Sequence, residues 1–68
     1  MFLRIRQERM NHGWTQQYTA QKIGITQTML QKIENGKRKP SYEVLVKLED
    51  LFGKTHRELF AEVKDITD

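Results

Sequence analysis

Gln27, Thr28, Gln31 and Lys32 fall at a spacing that sets all four on the outward side of one short helix. Side chains of these types can donate to and accept from the edges of bases. A glutamine amide can form a bidentate pair with adenine, and an ammonium can donate to the acceptors of guanine. Leu30 and Ile33 take the opposite, apolar side of the same helix. Met29, adjacent to Leu30, cannot share its face; it is left near the groove side or the inter-helix seam, where it can reach a thymine methyl. Just downstream, Asn35-Gly36-Lys37-Arg38-Lys39-Pro40 is a basic loop.

Such a helix must be started, stopped and held. Thr26 offers a cap at its beginning, because its hydroxyl can accept an otherwise orphaned backbone N–H. Thr15 offers the same to a preceding helix, on which Ala20 and Ile23 share a face. Gly24 can take the positive φ that ends that helix without a Cβ clash. Two short helices, a tight turn and a basic loop over Thr15 to Pro40 have the layout of a DNA-reading helix-turn-helix.

Three further helices complete the pattern. The first covers about Phe2 to Asn11, with Phe2, Ile5 and Met10 as an apolar stripe and Gly13 closing it. Gly36 suits a left-handed helix end and Pro40 blocks continuation. Ser41 can cap a fourth helix, where Leu45, Leu48 and Phe52 recur, joined by Val44 and Leu51, before Gly53 ends it. Thr55 and Glu58 read as a capping box for a fifth helix leading into Leu59 and Phe60. No segment sustains strand-like alternation. The chain reads as all-α, a compact five-helix domain over residues 1–62, with a short acidic tail over 63–68 whose last four residues are expected to fray.

At 68 residues without a cysteine, the chain has a core that is only marginal in size and no disulfide or thiolate metal site to staple it. Met1-Phe2-Leu3 is followed at once by Arg4 and Arg6, unlike a signal peptide, and no apolar run approaches the roughly 20 residues of a membrane span. A cytoplasmic, nucleoid-associated protein is expected. The net charge of +3 hides an asymmetry: residues 1–40 hold eight Lys/Arg against two acids, a net of +6, and residues 41–68 hold four against seven, a net of −3. A polyanion would meet the first part favourably and be repelled by the second.

The chain resembles the Cro/repressor-type, or XRE, helix-turn-helix family over about residues 3 to 60. The likeness rests on Gly13-Trp14-Thr15-Gln16, on Ala20 and Gly24, on Ile33-Glu34-Asn35-Gly36-Lys37-Arg38-Lys39-Pro40-Ser41, on Leu45 and Leu48, and on Phe52-Gly53 and Glu58-Leu59-Phe60. The resemblance implies a lambda-repressor-like domain that inserts its third helix into the DNA major groove. Gln27, Thr28 and Lys32 match positions that face bases, flanked by Gln31. Gln16 matches a glutamine that contacts a phosphate, and Asn35, Lys37, Arg38 and Lys39 match the loop that grips the backbone; Thr26 is grouped with them. Arg9 and Glu34 match a pair joining the first helix to the end of the third, read here as a structural ion pair. Three positions depart from the family's pattern. Thr19 replaces Leu, and its hydroxyl can bond an upstream carbonyl. Glu49 replaces Ala, so the fourth helix is expected to rotate or to expose it. Glu8 stands where an apolar residue is common.

Other chemistries find little support. His12 and His56 lie in separate elements without zinc-ligand spacing, and Ser41, the only serine, has no base beside it. The four glycines stand singly at helix ends, not in a phosphate-cradling cluster. Trp14 reads as core rather than as a base-stacking residue, with its indole N–H on a nearby carbonyl; Tyr18 leaves a phosphate contact and plain exposure both open. The expectation is therefore a regulator without catalysis, cofactor, metal, membrane or evident small-molecule effector. It would bind double-stranded DNA as a homodimer through the fifth helix and tail, where Phe60, Val63 and Ile66 offer apolar area, most readily as a repressor on a palindrome. An antitoxin or protein-tethering cofactor with the same fold is the alternative.

Overall fold

The computed structural model describes residues 2–63. It contains five helices, α1 (Arg4–Asn11), α2 (Gln16–Ile23), α3 (Gln27–Glu34), α4 (Tyr42–Phe52) and α5 (His56–Leu59). The all-α architecture read from the sequence holds, with one addition. Two-residue strands, β1 (Phe2–Leu3) and β2 (Glu62–Val63), pair antiparallel, Phe2 opposite Val63 and Leu3 opposite Glu62.

Each helix sends its apolar side to one core. Ile5 comes from α1, Ala20 and Ile23 from α2, Leu30 and Ile33 from α3, Leu48 and Phe52 from α4, and Leu59 from α5. Leu3, Trp14, Ile25, Met29, Val44, Leu51 and Phe60 pack around them, half-buried. Burying a side chain of the Leu or Ile class contributes about 1.5–3 kcal/mol, so the spacing of these residues does most to hold the helices together.

The helix starts follow from local chemistry. Thr15, Thr26, Ser41 and Thr55 all sit in extended backbone, and each hydroxyl accepts from the N–H three residues on. Between α2 and α3, Gly24 has φ of +74°, with its own N–H on the Gln21 carbonyl and the Ile25 N–H on that of Ala20. This pair of bonds is the left-handed close that lets the chain turn sharply into α3.

Four expectations need correction. Helix α1 begins at Arg4, not Phe2, because Phe2 and Leu3 spend their backbone on the ribbon and Arg4 N–H donates to the Ala61 carbonyl at 2.8 Å. Met10 is 52% exposed. It lies five residues from Ile5, well over a quarter turn away around the helix, and the buried positions beside Ile5 are Glu8 and Arg9. At α5, the Thr55 hydroxyl accepts from Glu58 N–H, but the capping carboxylate is that of Glu49 on α4, not Glu58; it accepts from His56 N–H at 2.6 Å and faces His56 Nδ1 at 3.2 Å. Glu49 is thus half-exposed and tied to the next helix. The Trp14 indole N–H has no protein acceptor among the described residues; the ring instead stacks on His12, centroids 4.3 Å apart, and leans on Phe52 and Tyr18.

Thr19, fully buried, donates its hydroxyl to the Thr15 carbonyl at 3.0 Å. Glu8 is buried, with its carboxylate 3.7 Å from Arg4 Nε. Residues 64–68, which hold most of the expected tail and Ile66, lie outside the described residues.

Candidate nucleic-acid interface

Helix α3 divides cleanly by exposure. Leu30, Ile33 and Glu34 are buried, while Gln27, Thr28, Gln31 and Lys32 are exposed and Met29 is half-buried against the core. The side chains of Gln27, Thr28, Gln31 and Lys32 hold no protein partner among the described residues. Their donors and acceptors therefore stay available to base edges, at the start and on the outer side of a helix slender enough for the major groove.

The loop after α3 is anchored at its beginning. Gly36 takes φ of +73°, Gly36 N–H donates to the Ile33 carbonyl and Lys37 N–H to that of Lys32, at 3.1 and 2.9 Å. These bonds close α3 and send Lys37, Arg38 and Lys39 outward, all three exposed. Asn35, also exposed, is the last position before the turn. Thr26 is exposed, and its hydroxyl oxygen already caps α3 by accepting from Met29 N–H at 3.1 Å.

Beneath the outer side of α3 lies an ion pair. Arg9 Nε is 2.6 Å from Glu34 Oε2 and its Nη2 is 3.3 Å from Oε1, while Nη1 donates to the Trp14 carbonyl at 2.8 Å. Glu34 is 1% exposed. The pair joins α1 to the end of α3 and to the segment entering α2. A fork of this kind satisfies the carboxylate geometrically as well as electrically. Reading single positions did not reveal the partner that completes it: Gln16, half-buried, donates its Nε2 to Glu34 Oε1 at 3.1 Å. A polar depression of about 470 Å³ opens above this network, between Arg6 and Gln16 on one side and Gln27, Gln31 and Asn35 on the other.

Tyr18 is 41% exposed, beside Trp14 and with the Lys22 ammonium 5.4 Å from its ring centre. Alongside the basic loop, Leu3, Pro40, Leu45 and Phe60 border an apolar groove of about 440 Å³, rimmed by Arg38, Lys39 and Glu62. Phe60 caps α5 and packs on the chain's own core, so only part of its ring faces outward.

A capped helix, a left-handed glycine turn and a second capped helix with a polar outer face define a helix-turn-helix protein. The family model described as helix-turn-helix matches residues 5–59, and the chain belongs to that family, the XRE or Cro/repressor-type proteins. Over 61 residues it is 39% identical to the HTH-type transcriptional regulator AnsR of Bacillus subtilis (strain 168), an alignment covering 90% of this chain and 53% of that regulator. The chain thus spans about half the length of the curated relative it matches. Among the described residues, no helix is long and apolar enough to cross a membrane.

Proposed function

We propose that the chain binds double-stranded DNA in a sequence-specific manner and regulates transcription. The observation that carries this is α3 itself: four polar side chains stand exposed, without protein partners among the described residues, over a buried face of Leu30, Ile33 and Glu34. Membership of the helix-turn-helix family and likeness to a transcriptional regulator support the same reading. Gln27 pairs with adenine and Lys32 donates to guanine, with Thr28, Gln31 and the exposed part of Met29 beside them. Lys37, Arg38 and Lys39, with Asn35, Gln16 and the start of α3 at Thr26, hold phosphates and set the register. Binding alone accounts for such regulation, and the hydroxyl oxygen of Ser41, the only serine, caps α4, 3.3 Å from Val44 N.

One such domain reads only a few base pairs. Two copies on a palindrome, with half-sites about 34 Å apart, would supply a useful specificity, and binding would repress by occluding the promoter. The partly open Phe60 ring, with the groove alongside the basic loop, supports an interface around α5. Sedimentation at high micromolar concentration should show a dimer, at least with operator present; monomer alone in both conditions would contradict this.

The division into readers and grips is tested by two substitutions. Lys32→Ala should change preference at one position of the site, by the roughly 1–3 kcal/mol a good base contact is worth. Arg38→Ala should weaken all sequences alike and flatten the salt dependence. Uniform loss of affinity in both variants would overturn the assignment.

A further inference from the structure

We infer that Glu34 is a positioning residue for the α2 side of the proposed DNA grip, acting through the Gln16 amide. The inference rests on the DNA-binding reading and adds to it a residue that never touches the ligand. An ionised carboxylate can only accept hydrogen bonds, so the Gln16 atom facing Glu34 Oε1 at 3.1 Å must be the NH₂ nitrogen. That single contact decides the amide flip, which a solvated glutamine leaves open. One N–H of Gln16 is spent on Glu34. The other, with no acceptor among the described residues, remains for the polar depression between α2 and α3. A phosphate also only accepts, so the orientation that offers it an N–H is the productive one.

Glu34 can impose this orientation because it cannot move. It is the last residue of α3, 1% exposed, and Arg9 holds both its oxygens, at 2.6 and 3.3 Å. The same guanidinium donates to the Trp14 carbonyl, one residue before the Thr15 cap of α2. The contacts close a ring from α1 to the end of α3, to the beginning of α2 and back through Gln16. Freezing a long side chain before binding removes an ordering cost that a free glutamine would bear at the moment of contact. The effect is on position, not on sequence choice, because the partner is backbone phosphate.

The test is a double-mutant cycle on DNA affinity in the full chain, using a duplex selected from random sequence, with circular dichroism establishing that each variant is folded. Gln16→Ala should weaken binding about fivefold to tenfold, and Glu34→Gln by a similar factor, since an amide at 34 no longer dictates the flip. In the Gln16→Ala background, Glu34→Gln should change affinity less than about twofold. An equal loss with and without Gln16 would mean that Glu34 acts only by holding the fold, and would overturn the inference. Should Glu34→Gln not fold, nuclear magnetic resonance of the unaltered protein decides: the Gln16 side-chain NH₂ should exchange more slowly with solvent than those of exposed Gln17 and Gln21, and equal exchange would overturn it. Arg38→Ala is the control for the underlying reading. It should weaken binding in every arm; a wild-type chain that retains no duplex contradicts the function itself, whereas an additive cycle with a normal Arg38 effect contradicts only the role of Glu34.

Discussion

Thr19 shows how a single atom decides the account of a residue. The position is fully buried, yet the hydroxyl has a ready acceptor one turn back in the Thr15 carbonyl, which also takes the Thr19 N–H at 3.1 Å. Replacing Thr19 by Val therefore removes a donor without orphaning the acceptor, and buries a methyl in its place. The variant should be neutral or more stable by up to about 1 kcal/mol in denaturant unfolding. A loss beyond about 1 kcal/mol would give the hydroxyl bond a larger share than its geometry allows. This contact was legible in the sequence because a threonine on a helix has its upstream carbonyl always within reach. Gln16 was not: its partner lies 18 residues away, and no local pattern announces a bond whose length depends on how α2 meets α3.

At the scale of elements, the four caps and the glycine closes could be read in advance because each involves neighbours at most five residues apart. The ribbon between Phe2–Leu3 and Glu62–Val63 could not, since two residues carry no period and the pairing spans nearly the whole chain. Met10 escapes the sequence for a related reason: its apolar character suggests burial, while the angular position belongs to Glu8 and Arg9. The Arg9–Glu34 pair makes an element-scale prediction. Arg9→Ala leaves a buried carboxylate without its cation, a loss of about 3–5 kcal/mol. Arg9→Met combined with Glu34→Leu removes both charges of the pair together, and should recover most of that stability while still depriving Gln16 of its acceptor. Thermal unfolding of the three proteins checks this. A double variant no more stable than Arg9→Ala alone would show that the ring contributes through its bonds to Trp14 and Gln16 and not by satisfying a charge.

Across the whole molecule the charge is split, +6 over residues 1–40 and −3 over 41–68, and the four exposed cations of α3 and its following loop, Lys32, Lys37, Arg38 and Lys39, belong to the positive part. If Lys37, Arg38 and Lys39 each neutralise one phosphate in each of two copies, the logarithm of affinity should fall with that of salt concentration at a slope of about −5. Arg38→Ala should reduce its magnitude by about 2 for the dimer. A slope near zero would mean that the loop does not sit on the backbone. The division of this surface was only partly legible: residue types along α3 gave its polar side, but the depression above Glu34 exists only once α1, α2 and α3 are packed.

Selection of bound duplexes from a random DNA pool tests the central claim, that the outer face of α3 reads sequence, most directly. The expected result is an enriched motif of two symmetric half-sites centred about one helical turn apart, and a changed base at one position of each half-site when Lys32→Ala is selected in parallel. A pool that returns no motif, or the same motif from both proteins, would contradict it.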